Sequence, residues 1–242
     1  MTMIGVYDYT VILTYLSLLS GCTGTIIAMS GVGHPYIGMF LMLFAGLCDG
    51  FDGRVARTKK NRSSLEQRFG MQIDSFSDLI SFGLLPAAIG MSMLRRNIRL
   101  SDLHELPESW LDPSLAMAHS NLYRGVLIII ALIYILAAMI RLAYFNSTEE
   151  EREEEAKEKG AAYFTGLPVT SAAIVFPMVL LMHYIPRFDL SVPYFIVMFV
   201  MACLFVGRFK IRKPGKKGLW IMVGIGFAEF IAFMILMSVT NR

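Results

Sequence analysis

Charge is what this sequence lacks most. Of its 242 residues only 17% are Asp, Glu, Lys or Arg, against roughly 25% in soluble domains, and that deficit excludes a water-soluble globule of this size. Cysteine is scarce too. Cys22, Cys48 and Cys203 lie in or beside apolar runs with no CxxC pair, which excludes a disulfide framework or a thiolate metal site and leaves small packing residues. A net charge of +3 is too small to imply a nucleic-acid partner. No Lys or Arg occurs from Met1 to Tyr9. The lipoprotein-like Leu18-Leu19-Ser20-Gly21-Cys22 therefore lacks the basic lead-in of a cleaved signal, and the first apolar run reads as a retained span.

Apolar length is what the sequence has instead, with 55% of residues hydrophobic. Seven stretches stand out: Tyr9 to Met29, Pro35 to Gly53, Met71 to Leu94, Leu122 to Phe145, Leu167 to Ile185, Val192 to Val206 and Leu219 to Val239. Most approach the about 20 residues that a membrane-crossing helix needs; the sixth is short and spans only by borrowing its flanks or by thinning the bilayer. The runs are continuous where a barrel would alternate. The expectation is an all-α, polytopic integral membrane bundle of about seven transmembrane helices. It forms one domain over residues 1–242, with a catalytic hairpin near 45–90 and the helix near 219–239 as a C-terminal addition.

Orientation follows from Lys and Arg in the connections. Arg57, Lys59, Lys60, Arg62 and Arg68 fill the second loop, and Arg208, Lys210, Arg212, Lys213, Lys216 and Lys217 precede the last stretch. Both connections are expected on the cytoplasmic side, with the N-terminus and the glutamate-rich segment from Glu149 to Glu158. The connection from Arg95 to Asn121 then reads as an outer loop.

Chemistry concentrates where the second stretch ends and the third begins. Asp49 and Asp52 are three residues apart, Asp74 and Asp78 four apart, so each pair shares a helical face, and an antiparallel hairpin can bring the two faces together. Unneutralised, this is costly. One carboxylate at mid-bilayer costs about 2.5–3.5 kcal/mol, and two about 6 Å apart repel by roughly 3 kcal/mol at an effective dielectric near 20. Two divalent cations would balance the four charges, and the donors are hard oxygens, which favours Mg²⁺ or Mn²⁺. Paired ions suit phosphoryl transfer. Gly50, Gly53 and Ala56 allow close approach of a ring or phosphate, and Arg57 can reach phosphate oxygens. Gly46 and Gly50 form a GxxxG pair that reads as helix packing. The competing account is a set of interfacial salt bridges to Arg54, Arg57 and Arg68, which would not require small residues at fixed offsets.

Asp49-x2-Asp52-Gly53-x2-Ala56-Arg57 followed by Gly70-x3-Asp74-x3-Asp78 resembles the signature of the CDP-alcohol phosphotransferases. The continuation from Asp74 through Ala87, with Arg141-Leu142-Ala143-Tyr144-Phe145-Asn146 and Phe164-Thr165-Gly166-Leu167-Pro168, is similar to the phosphatidylserine synthase branch. The likeness covers roughly the first six stretches. One departure is the loop of twelve residues between Arg57 and Gly70, longer than the family's usual connection.

The resemblance implies that Asp49, Asp52, Asp74 and Asp78 bind two divalent ions, with Asp78 also taking the proton of the attacking hydroxyl. It implies that Gly53, Ala56, Arg57 and Gly70 hold the cytidine diphosphate portion. The expected activity is transfer of a phosphatidyl group from CDP-diacylglycerol to L-serine, releasing CMP, in the lipid bilayer and without nucleic acid. Arg141 and Asn146 are the expected acceptor residues, because a guanidinium can fork onto a carboxylate and an amide can meet an amine or hydroxyl. A sister transferase using glycerol 3-phosphate or an inositol phosphate is the alternative, and a divalent-cation transporter a weaker one, since polar residues gather at one face. Small-residue spans favour a homodimer. Glu229, inside the last stretch, is expected to hydrogen-bond a neighbouring helix. The histidines flank spans or fall in the outer loop and imply no ligand.

Overall fold

A computed structural model of the chain describes residues 4–31, 35–101, 113–149, 151, 163–182, 191–212 and 216–240. His34, His104, His183 and most of the glutamate-rich segment lie outside the described residues. The chain forms helices α1 (Ile12–Ser30), α2 (Pro35–Ala56), α3 (Ser64–Asp78), a π-helical turn (Leu79–Leu84), α4 (Leu85–Ser101), α5 (Pro113–Ser147), α6 (Ala172–Leu181), α7 (Ser191–Val206) and α8 (Lys216–Thr240). The all-α expectation holds, with one small addition. Strands β1 (Tyr163–Thr165) and β2 (Lys210–Arg212) pair antiparallel, Phe164 opposite Ile211.

Among the described residues, three helical segments are long and apolar enough to cross a membrane: Ile12–Ser30, Ser64–Leu94 and Asn121–Ser147, with shorter apolar helices at Val169–Leu181, Ser191–Val206 and Trp220–Leu236. The second of the three is the most enclosed, 67% buried against 39% and 33% for the others. The helix that carries Asp74 and Asp78 therefore runs through the middle of the bundle.

Two boundaries differ from the sequence reading. The third helix starts at Ser64, seven residues before Met71, because Ser63 and Glu66 form a capping box that satisfies its first backbone N–H groups. The presumed outer loop is largely helical, since α4 continues to Ser101 and α5 begins at Pro113. Polar residues there had masked the helix, whose ends need not be apolar once they leave the bilayer.

Packing around α1 explains how a polar cluster is held in an apolar bundle. Lipid offers no hydrophobic drive between helices, so small residues and hydroxyls carry the contact. The buried face of α1 is Thr14, Ser17, Ser20, Gly21, Gly24, Thr25 and Ala28. Ser17 Oγ donates to the Ala45 carbonyl at 3.3 Å and Ser20 Oγ to that of Leu41 at 2.7 Å, both on α2. From the other side, Ser77 Oγ donates to the Thr14 carbonyl at 3.3 Å and Ser81 Oγ to that of Ser17 at 3.1 Å. Gly21 has to be glycine, because a Cβ there would fall 2.9 Å from Ser81 Cα. The contact so closes α1 onto both helices of the aspartate hairpin.

The π turn directly after Asp78 has a local cause. Pro86 has no N–H, and its ring cannot tolerate a helical carbonyl four residues back. The chain widens there: the Leu85 N–H reaches the Ile80 carbonyl five residues back. The Phe82 carbonyl that Pro86 leaves without a partner accepts from Tyr134 Oη at 2.5 Å. The Pro86 carbonyl accepts from Tyr194 Oη at 2.9 Å. Both tyrosines are fully buried, among Phe82, Phe176, Phe195 and Phe205, so α5 and α7 fix the turn.

Candidate active site

The four aspartates converge as the hairpin requires. Carboxylate oxygens of Asp49, Asp74 and Asp78 lie within 4.8 Å of one another. Asp52 stands to one side, meeting Asp74 side chain to side chain while Asp49 meets Asp78. Asp52 and Asp78 are 8% and 7% exposed. Asp52 Oδ2 accepts a hydrogen bond from Thr14 Oγ1 at 3.0 Å, a contact that sequence spacing did not bring to notice. Its signal was there: Thr14, Ser17, Gly21, Gly24 and Ala28 recur at three- and four-residue steps, the period of a helix face.

No ion pair joins any of these aspartates to Arg54, Arg57 or Arg68 among the described residues, where Lys59 to Asp8 and Lys59 to Glu66 are the ion pairs. The salt-bridge account of the cluster fails on that point. Among the described residues, Asp74 Oδ1 and Asp78 Oδ1 are buried with no hydrogen-bond partner. Buried carboxylate oxygens left without a donor are costly, and a set of converging hard oxygens is the donor chemistry of Mg²⁺ or Mn²⁺. The residues fit a divalent ion.

Beside the cluster opens a cavity of about 1130 Å³. Asp49, Asp52, Arg54 and Arg57 line its polar part, with Gly46, Gly50 and Gly53 supplying bare backbone. Arg57 is exposed, its Nε donating to the Gly53 carbonyl at 2.9 Å, so the side chain folds back over the glycine. Gly53 has room beyond it, since a Cβ there would meet Arg57 Nη2 at 3.6 Å. At Gly46 a Cβ would lie 2.7 Å from that of Ala173, so Gly46 serves helix packing between α2 and α6, while Gly50 lines the cavity. Ala56 and Gly70 are half-buried and stand outside the cavity lining. Gly70 instead lies against Arg62, whose Nη2 would be 2.8 Å from a Cβ.

The long loop between α2 and α3 is ordered by one lysine. Lys59 Nζ lies 2.7 Å from Asp8 and 2.8 Å from Glu66, which joins the segment before α1 to the cap of α3. Asp8 also accepts from the Thr10 amide at 3.0 Å. The Lys59 ammonium, helped by Thr10, pulls the Asp8 carboxyl from 3.8 down to about 2. Glu66 in turn accepts from the Ser63 amide at 2.9 Å.

The two expected acceptor residues reach the site differently. Asn146 Nδ2 donates to Ser75 Oγ at 2.8 Å, the residue after Asp74, so it is tied to the helix that carries Asp74 and Asp78. Arg141 is buried; its Nε donates to the Leu167 carbonyl at 3.1 Å and its guanidinium carbon lies 5.7 Å from the Phe145 ring centre. Neither residue lines the cavity. Leu167 is itself held through Gly166, whose φ of +79° suits glycine. A Cβ on Gly166 would lie 2.8 Å from the Gly207 carbonyl oxygen. Glu229 departs from expectation: it is 7% exposed, and both carboxylate oxygens are buried without a hydrogen-bond partner.

Comparison with known proteins agrees with this geometry. The chain is 29% identical over 223 residues to the CDP-diacylglycerol–serine O-phosphatidyltransferase of Saccharomyces cerevisiae, covering 83% of this chain and 70% of that protein. It is 27% identical over 162 residues to the enzyme of the same name from Mycobacterium tuberculosis (strain ATCC 25618 / H37Rv), covering 67% of this chain and 45% of that one. It is 31% identical over 160 residues to the archaetidylserine synthase of Methanothermobacter thermautotrophicus, covering 66% and 53%. The chain thus spans about half the length of the mycobacterial and archaeal relatives. No solved structure matches it. Residues 9–207, which hold the aspartate hairpin, Arg141 and Asn146, match the CDP-alcohol phosphatidyltransferase model, and the chain belongs to that family.

Proposed function

We propose that this chain transfers the phosphatidyl group of CDP-diacylglycerol to the hydroxyl of L-serine, giving phosphatidylserine and CMP. The observation that carries the reading is the gathering of Asp49, Asp74 and Asp78 within 4.8 Å, with Asp49 and its neighbour Asp52 lining a cavity whose other residues are largely apolar. A charged diphosphate and its hydrocarbon can then be met by one site. The relatives named for serine transfer support the choice of acceptor.

Asp49, Asp52, Asp74 and Asp78 would hold two divalent ions, Mg²⁺ or Mn²⁺, which supply charge neutralisation and polarisation of the diphosphate. Arg57 and the bare backbone at Gly53 receive phosphate and nucleotide. Asp78 Oδ1, buried and without a donor, accepts the proton of the serine hydroxyl. The serine oxygen forms its bond to the phosphorus that bears the lipid, the bond from that phosphorus to the CMP oxygen breaks, and CMP leaves with the electron pair. Arg141 holds the serine carboxylate, and Asn146, tied to Ser75, its amine. The Lys and Arg of the loops support a site on the cytoplasmic side, where a soluble amino acid meets an anchored donor. Small-residue spans pair two copies.

The test is CMP release from CDP-diacylglycerol by the purified protein, with serine, glycerol 3-phosphate and an inositol phosphate as acceptors. Serine should be the productive one, and a phosphorylated acceptor working better would remove it. Asp78→Asn should lower turnover by about 10²–10⁴ while nucleotide binding persists, and Arg141→Ala should raise the KM for serine ahead of that for the donor. Metal flux through proteoliposomes without nucleotide would instead support transport. A single photobleaching step per particle would rule out the pair.

A further inference from the structure

The cavity is more extended than a nucleotide diphosphate needs. Its volume, about 1130 Å³, exceeds the roughly 300–1,000 Å³ of ordinary small-molecule pockets. Its lining on α2 runs from Phe40 to Arg54, fourteen residues, or about 21 Å at the rise of a helix. Charge is confined to one end of that length: Asp49, Asp52 and Arg54 lie in the last part of α2, Phe40, Leu43 and Phe44 in the first. The polar end is the aspartate site, and the apolar end points along the helix into the bilayer, whose hydrocarbon core is about 30 Å thick.

The opposite wall is α8. Met222, Val223, Gly226, Phe227 and Phe230 line the cavity, at steps of three and four that make one helical face. Helix α8 begins at Lys216, after the family match ends at residue 207, so this wall is built from sequence outside the matched region. It is anchored at both ends of the cavity. Phe230 and Phe233 meet Phe40 edge-on, with ring centres 5.3 and 4.7 Å apart, and Trp220 meets Phe51 at 6.1 Å.

We infer that α8 is the wall against which the hydrocarbon chains of the nucleotide-linked lipid lie, with Gly226 and Phe227 setting how the chains pass. The inference rests on the proposed transferase reading for the identity of the head group. Its own content is the contact between lipid tail and α8. The amphipathic profile of the cavity fits one occupant whose charged and apolar parts are covalently joined. Gly226 leaves the chain path open: a Cβ there would only touch Leu43 Cδ2 at 3.8 Å, while a larger side chain would project into the cavity.

The experiment has two arms on the full chain in nanodiscs. In the first, CDP-diacylglycerol carrying a diazirine near the end of one acyl chain is photolysed and the adducts are mapped. Adducts on residues 222–230, displaced by excess CDP-diacylglycerol and poorly by phosphatidylcholine, are the expected result. Adducts confined to other helices, or equal displacement by phosphatidylcholine, overturn it. In the second, Gly226→Phe and Phe227→Ala are compared with Ile235→Ala, a change on an exposed part of α8. Each cavity variant should raise the KM for a long-chain donor about tenfold, the loss of roughly two buried methylenes, and leave that for a short-chain donor unchanged. Equal effects on both donors, or none, overturn the inference. A wild-type protein that releases no CMP from any donor defeats the transferase reading and leaves the adducts to decide the wall.

Discussion

Thr14 Oγ1 donates to Asp52 Oδ2 across 3.0 Å, joining the first helix to the aspartate hairpin. A threonine hydroxyl has a single proton to give. Spent on Oδ2, it orients a carboxylate that, in the proposed reading, would help to hold a divalent ion. Groups that orient metal-binding carboxylates commonly matter by 10–100-fold.

Thr14→Val keeps the shape of the side chain and removes the donor. The half-saturating concentration of Mg²⁺ or Mn²⁺ should rise by about tenfold or more, with Thr14→Ser restoring most of it. A metal titration of CMP release reads this directly. An unshifted titration in the valine variant would show that Asp52 is oriented by something else.

The π turn at Leu79–Leu84 adds a residue to one helical turn, which offsets the rotation of everything beyond it by about 100°. Asp78 is the residue before that turn, and α4 beyond it is pinned by Tyr194 at the Pro86 carbonyl. Pro86→Ala restores an N–H that can close a regular α turn. The rotation would then fall on the Asp78 side. Turnover should drop by at least about 10²-fold, the cost of misplacing a reacting group by only about 1 Å. Wild-type turnover in this variant would disconnect the turn from the placement of Asp78.

The hairpin was legible in the sequence because its information is local: Asp49 with Asp52 and Asp74 with Asp78 declare their shared faces by spacing alone. What supports it was not. In a bilayer, Ser17, Ser20, Ser77 and Ser81 act as helix glue, yet each looks unremarkable within an apolar run. The π turn needed Pro86 to be weighed against the carbonyl of Phe82, and the cavity wall needed knowledge that α8 returns to α2 from far along the chain. The Glu229 expectation missed for a different reason. It supposed a donor on a neighbouring helix, and among the described residues neither carboxylate oxygen has one.

The Lys59 clamp makes a pH prediction. Asp8 has a folded-state value of about 2, below its ordinary 3.8, so the clamp's contribution is fully present above the ordinary value and is lost as pH falls through the folded one. The N-terminal segment should stay docked at pH 5 and loosen between about pH 4 and pH 2. In Lys59→Met the Asp8 carboxyl should rise from about 2 toward its ordinary 3.8 and stop short of it, because Thr10 still lowers it, which carboxyl NMR of the labelled protein reports. An Asp8 titration unmoved by the substitution would mean that Thr10 alone holds it.

Glu229 allows a stability prediction of unusual sign. Most substitutions at buried positions destabilise, but the exceptions are groups whose burial is uncompensated. Both Glu229 oxygens are without partners, and a buried polar group in that condition costs about 1–3 kcal/mol. Glu229→Leu removes the penalty and adds apolar contact to the face that carries Phe233. Glu229→Gln removes the charge but keeps two polar atoms that still have no partner. The expected order of melting temperature is Leu above Gln, and Gln at or above the native Glu, with turnover retained, because Glu229 stands outside the cavity lining. A leucine variant that melts earlier than the native protein would reverse the argument. It would mean that the carboxyl meets a bound cation or a second copy of the chain when the protein is in its membrane.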